Sequence, residues 1–222
     1  MKTLYKSFKK GLETDHNFKF KKNKWYHQDG EIKCCCNGFH GSVMAIDAMH
    51  FVDCEVMALV EVKGEHEEEK DKECWSDMRV IKTYEWTKKD SVKLAIYAAE
   101  LVIENFEKKY PDDKRPREAI EASKKWLKYP TEKNRAAAYA AASAAYAAYA
   151  AASYAAYAAC AAAAYAAYAA SSASSAAAYA AYAASSAAAA AYAAYAAAAA
   201  AAAEILDKCE KFIHKLIKGK LK

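Results

Sequence analysis

The sequence predicts an α+β fold: a small strand-rich N-terminal part, then an Ala/Tyr-rich helical bundle or helical repeat. Three observations predict it. Asp53–Val62 alternates apolar and polar residues with a period of two, the mark of a half-buried strand. From Thr87 the apolar period lengthens to that of helices. Between Ala136 and Ala203 lie 68 residues comprising 48 Ala, 11 Tyr, 8 Ser and one Cys, so all 61 charged residues fall in the other 154. A tract that is mostly the strongest helix former, without Gly or Pro, reads as helix throughout.

In residues 1–86 the short runs Thr3–Phe8, Phe18–Tyr26 and Glu31–Cys36 carry aromatic or β-branched residues between turn signals such as Asp29-Gly30. Ser42–Phe51 fits one short helix, with Val43, Ile46 and Met49 at helical spacing. In Asp53–Val62 the residues Cys54, Val56, Ala58, Val60 and Val62 share a face. A charged loop, Glu65–Lys72, then leads to a last strand over Met78–Trp86, for about five strands in all.

Thr87 and Asp90 form a capping-box pattern. Leu94, Tyr97, Ala98, Leu101, Val102 and Phe106 continue as one apolar helical stripe, stopped by Pro111. Pro116 opens a second helix through Ile120 and Trp126 to Tyr129, because proline fits a first turn. Pro130 ends it, and Thr131-Glu132 starts the next. Tyr146, Tyr157, Tyr168 and Tyr179 recur every 11 residues, close to three helical turns. Tyr192 and Tyr195 leave that face, which predicts a break, kink or change of neighbour near Ser185-Ser186. The serines of 171–175 mark a second break. One rod from Arg135 would be about 100 Å long at 1.5 Å per residue, so folding back into a bundle is expected. Residues 204–222 end the chain as an amphipathic helix, with Ile205, Leu206, Cys209, Phe212, Ile213, Leu216 and Ile217 on its apolar side.

Charge narrows the function classes. Residues 1–135 hold 27 basic against 25 acidic groups and residues 204–222 hold 6 against 3; 29 of the 33 basic residues are Lys. So few arginines disfavour base-specific readout of nucleic acid. The Ala/Tyr/Ser tract lacks the Leu, Ile, Val and Phe of a membrane span and gathers no aromatic belts. Met1-Lys-Thr-Leu-Tyr-Lys lacks the apolar core of a secretory leader. Seven cysteines, three of them adjacent, do not suggest a disulfide framework, which points to a reducing, cytoplasmic setting.

Catalytic signatures are weak. Cys34, Cys36 and His40 form the reactive cluster that merits weighing, with Cys54, His27 and His50 as additions. In a strand Cys34 and Cys36 would share a face. Without a Cys-x-x-Cys pair, the expectation is thiols half-buried in a strand rather than a metal centre. Gly38 and Gly41 are expected to make a tight turn around Phe39-His40. Neither a glycine-rich phosphate loop nor a cofactor motif occurs, so no cofactor or metal is assigned.

The segment from Phe106 to Ala122, FEKKYPDDKRPREAIEA, followed by Trp126, resembles an immunity-protein family of polymorphic-toxin systems. Those are small helical proteins with a similar segment ahead of Ala-rich helices. Residues 92–130 carry the likeness, and the later tract shares it only in composition. Tyr5-Lys6-Ser7-Phe8 and, in part, Cys35-Cys36-Asn37-Gly38-Phe39-His40 resemble an uncharacterised module of phage and bacterial proteins. The resemblance implies a division into residues 1–86 and 87–222. It also implies a non-catalytic antitoxin, immunity-like or counter-defence function, exercised by occluding a toxin or defence protein. Arg115, Arg117, Tyr146, Tyr157, Tyr168 and Tyr179 are the candidate partner-binding residues, although Arg115 and Arg117 also suit local capping and ion pairing. Two rival classes are an enzyme or nucleotide-binding activity in residues 1–86, using Cys36, His40 or Glu55, and a structural protein self-associating through its Ala/Tyr helices.

Overall fold

The structure is a computed structural model. The structure describes residues 1–50, 52–149, 154–171, 176–194 and 198–219. It is α+β, and the chain divides into two compact units: Met1–Trp86 with Ile217–Lys222, and Thr87–Leu216.

The first unit is built on an antiparallel sheet. Strands β1 (Lys2–Phe8), β4 (Val56–Glu68) and β5 (Glu73–Glu85) lie side by side. Two short strands, β2 (Trp25–His27) and β3 (Phe39–Gly41), both pair with the far side of β5. Ser42, just after β3, exchanges backbone hydrogen bonds of 2.7 and 2.8 Å with Tyr5, so the outer strands β1 and β3 are joined. Leu4, Phe8, Phe20, Ala58, Val60, Val62, Trp75, Met78 and Val80 form its buried cluster. Phe20 meets Phe8, Tyr26 and Phe39 edge-on, with ring centres 4.9–5.5 Å apart. Helix α1 (Ala45–Ala48) packs on β1, burying Ala45 and Ile46.

The expected Thr3–Phe8 strand is present as β1, whereas four other expectations are corrected. Of Phe18–Tyr26 only the end is strand, because left-handed residues Asn17 and Asn23 bend the chain into turns. The helix expected over Ser42–Phe51 is limited to Ala45–Ala48, and Phe51 lies outside the described residues. Glu65–Glu68 is not loop: its charged side chains are exposed while its backbone continues the β4–β5 ladder, leaving residues 69–72 as the connection. Phe39–Gly41, expected as a turn, is strand β3.

The second unit starts with the expected capping box: Thr87 Oγ accepts the Asp90 N–H, and the Asp90 carboxylate accepts the Thr87 N–H. The single helix expected from there is two, α2 (Lys88–Glu100) and α3 (Ile103–Lys109). At the junction the Val102 N–H reaches back three residues to Ala99 O rather than four, and the chain turns. Helix α4 (Arg115–Lys128) carries Pro116 in its first turn, and α5 (Glu132–Tyr149) follows Thr131, whose Oγ accepts the Asn134 N–H.

The Ala/Tyr tract does fold back on itself. Helix α6 (Tyr154–Ser171) packs against α2, α3, α4 and α5, and also against α7 (Ala176–Ala194). Between Ala161 and Ala170 every alanine of α6 is buried. Ala119, Ala142, Ala145, Ala164 and Ala167 from α4, α5 and α6 make a seam in which no side chain extends beyond a methyl group. Such faces let helices approach closely, and close approach replaces bulk as the source of contact.

Of the two predicted breaks, the serines 172–175 fall between α6 and α7, outside the described residues. At the other, the break is corrected: α7 passes through Ser185-Ser186 as one helix, since two serines leave the backbone ladder intact. Helix α8 (Ala198–Lys218) buries Ile205, Cys209, Ile213 and Ile217, and its Phe212 ring stacks 4.4 Å from Tyr97 of α2. Among the described residues no helix is long and apolar enough to cross a membrane.

Candidate functional site

The most concentrated chemistry lies at one end of the N-terminal sheet. Register places His40 of β3 opposite Cys74 of β5, and Cys74 opposite Glu67 of β4. Directly paired residues project to the same side, so these three form a row across three strands. Between β2 and β3 the chain makes an excursion over residues 28–38. A tight turn (Lys33 N–H to Asn37 O, 3.0 Å; Asn37 N–H to Lys33 O, 2.9 Å) closes its tip, and Cys35 there adopts a left-handed φ of 63°. The Asn37 side-chain amide donates to Asp29 O and Glu31 O at 2.9 and 3.1 Å, pinning the loop. Gly38 has φ +123°, and a Cβ there would stand 2.5 Å from Cys74 Sγ, so this close approach requires glycine.

The excursion delivers Cys34 to the row. The Cys34 N–H donates to the Glu67 carboxylate, and its Sγ lies 3.7 Å from Glu67 O. Cys34 Sγ, Cys74 Sγ and a ring nitrogen of His40 then lie within 4.8 Å of one another. Cys34 and Cys74 are buried and His40 is half-buried. Cys74 Sγ is 3.2 Å from Asn37 O, and His40 Nε2 accepts the Cys35 N–H at 2.9 Å.

Burial dominates the electrostatics. Desolvation first, and then Cys74 and the acids Glu69 and Glu67, push the Cys34 thiol up to about 12. Burial also raises Cys74. His40 is lowered by burial and by the positive charges of Lys6 and Lys72, which favours the neutral imidazole. Lys6 donates to His40 O at 2.7 Å, and burial of its amine lowers it to about 8. Lys72 sits 3.1 Å from Cys35 Sγ, and its hydrogen bonds to Cys35 and Glu69 raise its pKa. Above this cluster opens a groove of about 570 Å³, lined in part by Lys6, His16, Cys35, Cys36, His40 and Lys72.

Residues 2–90 match DUF7666, a domain of unknown function. The row, the excursion and the groove all lie within the DUF7666 span. No curated protein and no solved structure matches the chain.

Of the cluster read from sequence, Cys34 and His40 come together and Cys36 does not join them. Cys36 is exposed on the groove, because residues 34–36 are a turn and the alternation of a strand does not apply. The third member, Cys74, was not read from sequence; only strand register brings it opposite His40. Glu55 lies elsewhere, accepting the Lys10 N–H at 2.8 Å.

In the helical unit Arg115 grips Asp113 through two hydrogen bonds of 2.6 and 2.9 Å, and Arg117 grips Glu107 through two of 2.7 and 2.8 Å. Tyr168 and Tyr179 are ring neighbours at 5.5 Å across α6 and α7. Tyr165 adds contacts to Tyr179 and Tyr182, and Tyr139 of α5 meets Tyr168 at 6.0 Å. Of the 11-residue series, Tyr168 and Tyr179 thus meet between two helices. The backbone places Tyr146 on α5 and Tyr157 on α6; their side chains lie outside the described residues.

Proposed function

We propose that the protein is a non-catalytic, cytoplasmic binding protein of the immunity or counter-defence kind, which occludes a toxin or defence protein through its helical unit. The observation that carries this reading is the linked set of five tyrosines, Tyr139, Tyr165, Tyr168, Tyr179 and Tyr182, drawn from three helices. Tyr139 and Tyr182 are 59% and 46% exposed and the other three half-buried. Rigid aromatic groups with a polar tip supply large contact area at small entropic cost and dominate the centres of protein interfaces. This tract is uncharged, so a partner's apolar ring of contacts would not have to desolvate an ion. The resemblance of residues 92–130 to immunity proteins points the same way. The six described cysteines are free, in keeping with a reducing compartment.

The test is co-expression with the toxins or defence effectors of the host, including any product of the neighbouring genes. The intact chain should restore growth and co-purify with one of them in equal stoichiometry. Tyr139→Ala with Tyr182→Ala, the two exposed rings of the set, should weaken the complex about 100-fold or more, as for paired hot-spot residues, with helical content retained. Undiminished protection by that double variant, or protection without a complex, would overturn the reading.

A further inference from the structure

We propose that Cys34, His40 and Cys74 form a zinc site in the N-terminal unit. Their three donor atoms lie within 4.8 Å of one another, the spacing of ligands around one ion. Two sulfurs and an imidazole suit zinc, a borderline-soft ion that takes sulfur at about 2.3 Å and nitrogen at about 2.0 Å. Hard ions such as magnesium or calcium, which take oxygen ligands, are poorly served by this set.

Three structural features argue for a built site rather than a chance meeting. First, the donors are held from independent directions: His40 and Cys74 by the β3–β5 register, and Cys34 by the excursion. Second, Gly38 leaves room for the excursion to press against Cys74, where any side chain would collide with the sulfur. Third, an outer shell is in place. Glu67 holds the Cys34 backbone and Lys6 holds the His40 carbonyl. Groups of this kind orient ligands in metal centres. Zinc would displace the Cys35 N–H from His40 Nε2, because a neutral imidazole has a single lone pair and gives it to the ion.

Charge also balances. Binding replaces the two thiol protons, which leave to solvent, so two thiolates meet the ion's two positive charges and the imidazole stays neutral. The bound centre adds no net charge beside Lys6 and Lys72. Three protein ligands leave a fourth position for water or a ligand from the groove, which His40 lines with Cys36 and His16. None of these residues belongs to the helical unit, so the inference stands apart from the partner-binding proposal.

The experiment is zinc titration of the full-length, reduced, metal-stripped chain against a chromophoric chelator. X-ray absorption at the zinc edge of the loaded native chain accompanies it. About one tightly held equivalent is expected, with two sulfurs and at least one nitrogen around the ion. Cys74→Ser and Cys34→Ser should each weaken binding beyond the about 10- to 100-fold typical of losing an outer-shell partner, and Glu67→Gln should fall within that range. Cys36→Ser should leave affinity unchanged. The absorption spectrum needs no variant, so an unfolded Cys74→Ser protein does not spoil the test. Failure to hold zinc, a nitrogen/oxygen-only shell, a Cys34–Cys74 disulfide in place of metal, or a Cys36→Ser loss equal to that of Cys74→Ser would each overturn it.

Discussion

Replacing Ala167 by leucine should strike the helical unit at its least forgiving point. Ala167 has no exposed surface, and its seam partners Ala119, Ala142, Ala145 and Ala164 have none either. Leucine adds three carbon atoms to a place where the buried neighbours are methyl groups fixed to helix backbones and the Tyr168 ring packs alongside. In most cores a crowded side chain finds relief by changing a neighbour's rotamer. Here the one large side chain against the seam is Tyr168, itself held between Tyr139 and Tyr179, so relief requires that ring or whole helices to move and the close contacts along α6 are strained together. Overpacking costs about 1–3 kcal/mol in ordinary cores, and this site belongs at the upper end. For the unit Thr87–Leu216, between the sizes for which the scaling is established, 1 kcal/mol shifts the melting temperature by roughly 3–5 °C. A drop of about 10 °C is therefore expected. The assay is thermal unfolding followed by far-UV circular dichroism, with Ala140→Leu on exposed α5 surface as the control. Alanine and leucine differ little in helix propensity, so the control isolates packing. Equal melting temperatures for the two variants would refute the alanine seam.

Gly64→Ala should destabilise the N-terminal unit by about 2 kcal/mol, because a Cβ at φ +86° would stand 2.1 Å from Ser76 Oγ, the acceptor of the Glu65 N–H. Urea unfolding followed by tryptophan fluorescence would check it, and adding Ser76→Ala should recover part of the loss, since Asp77 Oδ2 still stands 2.7 Å from the new Cβ; no recovery would count against the mechanism. Arg117 holds the Glu107 carboxyl below its ordinary value of 4.5, so the pair's contribution is complete above pH 4.5 and fades as pH falls through the lowered value. Both side chains are about one-third exposed, at 30% and 35%, which limits the contribution to below about 1 kcal/mol. Glu107→Gln should flatten the acid side of a plot of urea midpoint against pH, and an unchanged slope would exclude the pair as its source.

What the sequence revealed depended on whether the deciding interaction was local. The Thr87/Asp90 cap, Pro116 in a first turn and the strand through Val56–Val62 are each settled by neighbours a few residues away, and each is found in place, although the strand starts at Val56 and not at the expected Asp53. Glu65–Glu68 misled because charge on exposed side chains says nothing of a backbone that is paired on both sides of a long hairpin. Cys34–Cys36 misled because alternation holds only in extended backbone, and Cys35 is left-handed. The break at Leu101–Val102 is announced by neither glycine nor proline. Cys74 escaped notice for a different reason. It is 40 positions from Cys34, and no local pattern states which residue of β5 faces His40.

The alanine seam also raises a problem of addressing. A methyl group packs against any other methyl group, so sliding α6 along α5 or α7 by one turn would exchange one set of alanine contacts for an equivalent set. Alanines supply proximity without information. The rings break this degeneracy: Tyr168 fits against Tyr139 on one side and Tyr179 on the other, and a shifted helix would leave those rings stranded. In a tract that is otherwise nearly one letter repeated, the spacing of the tyrosines acts as the key that selects one alignment among many.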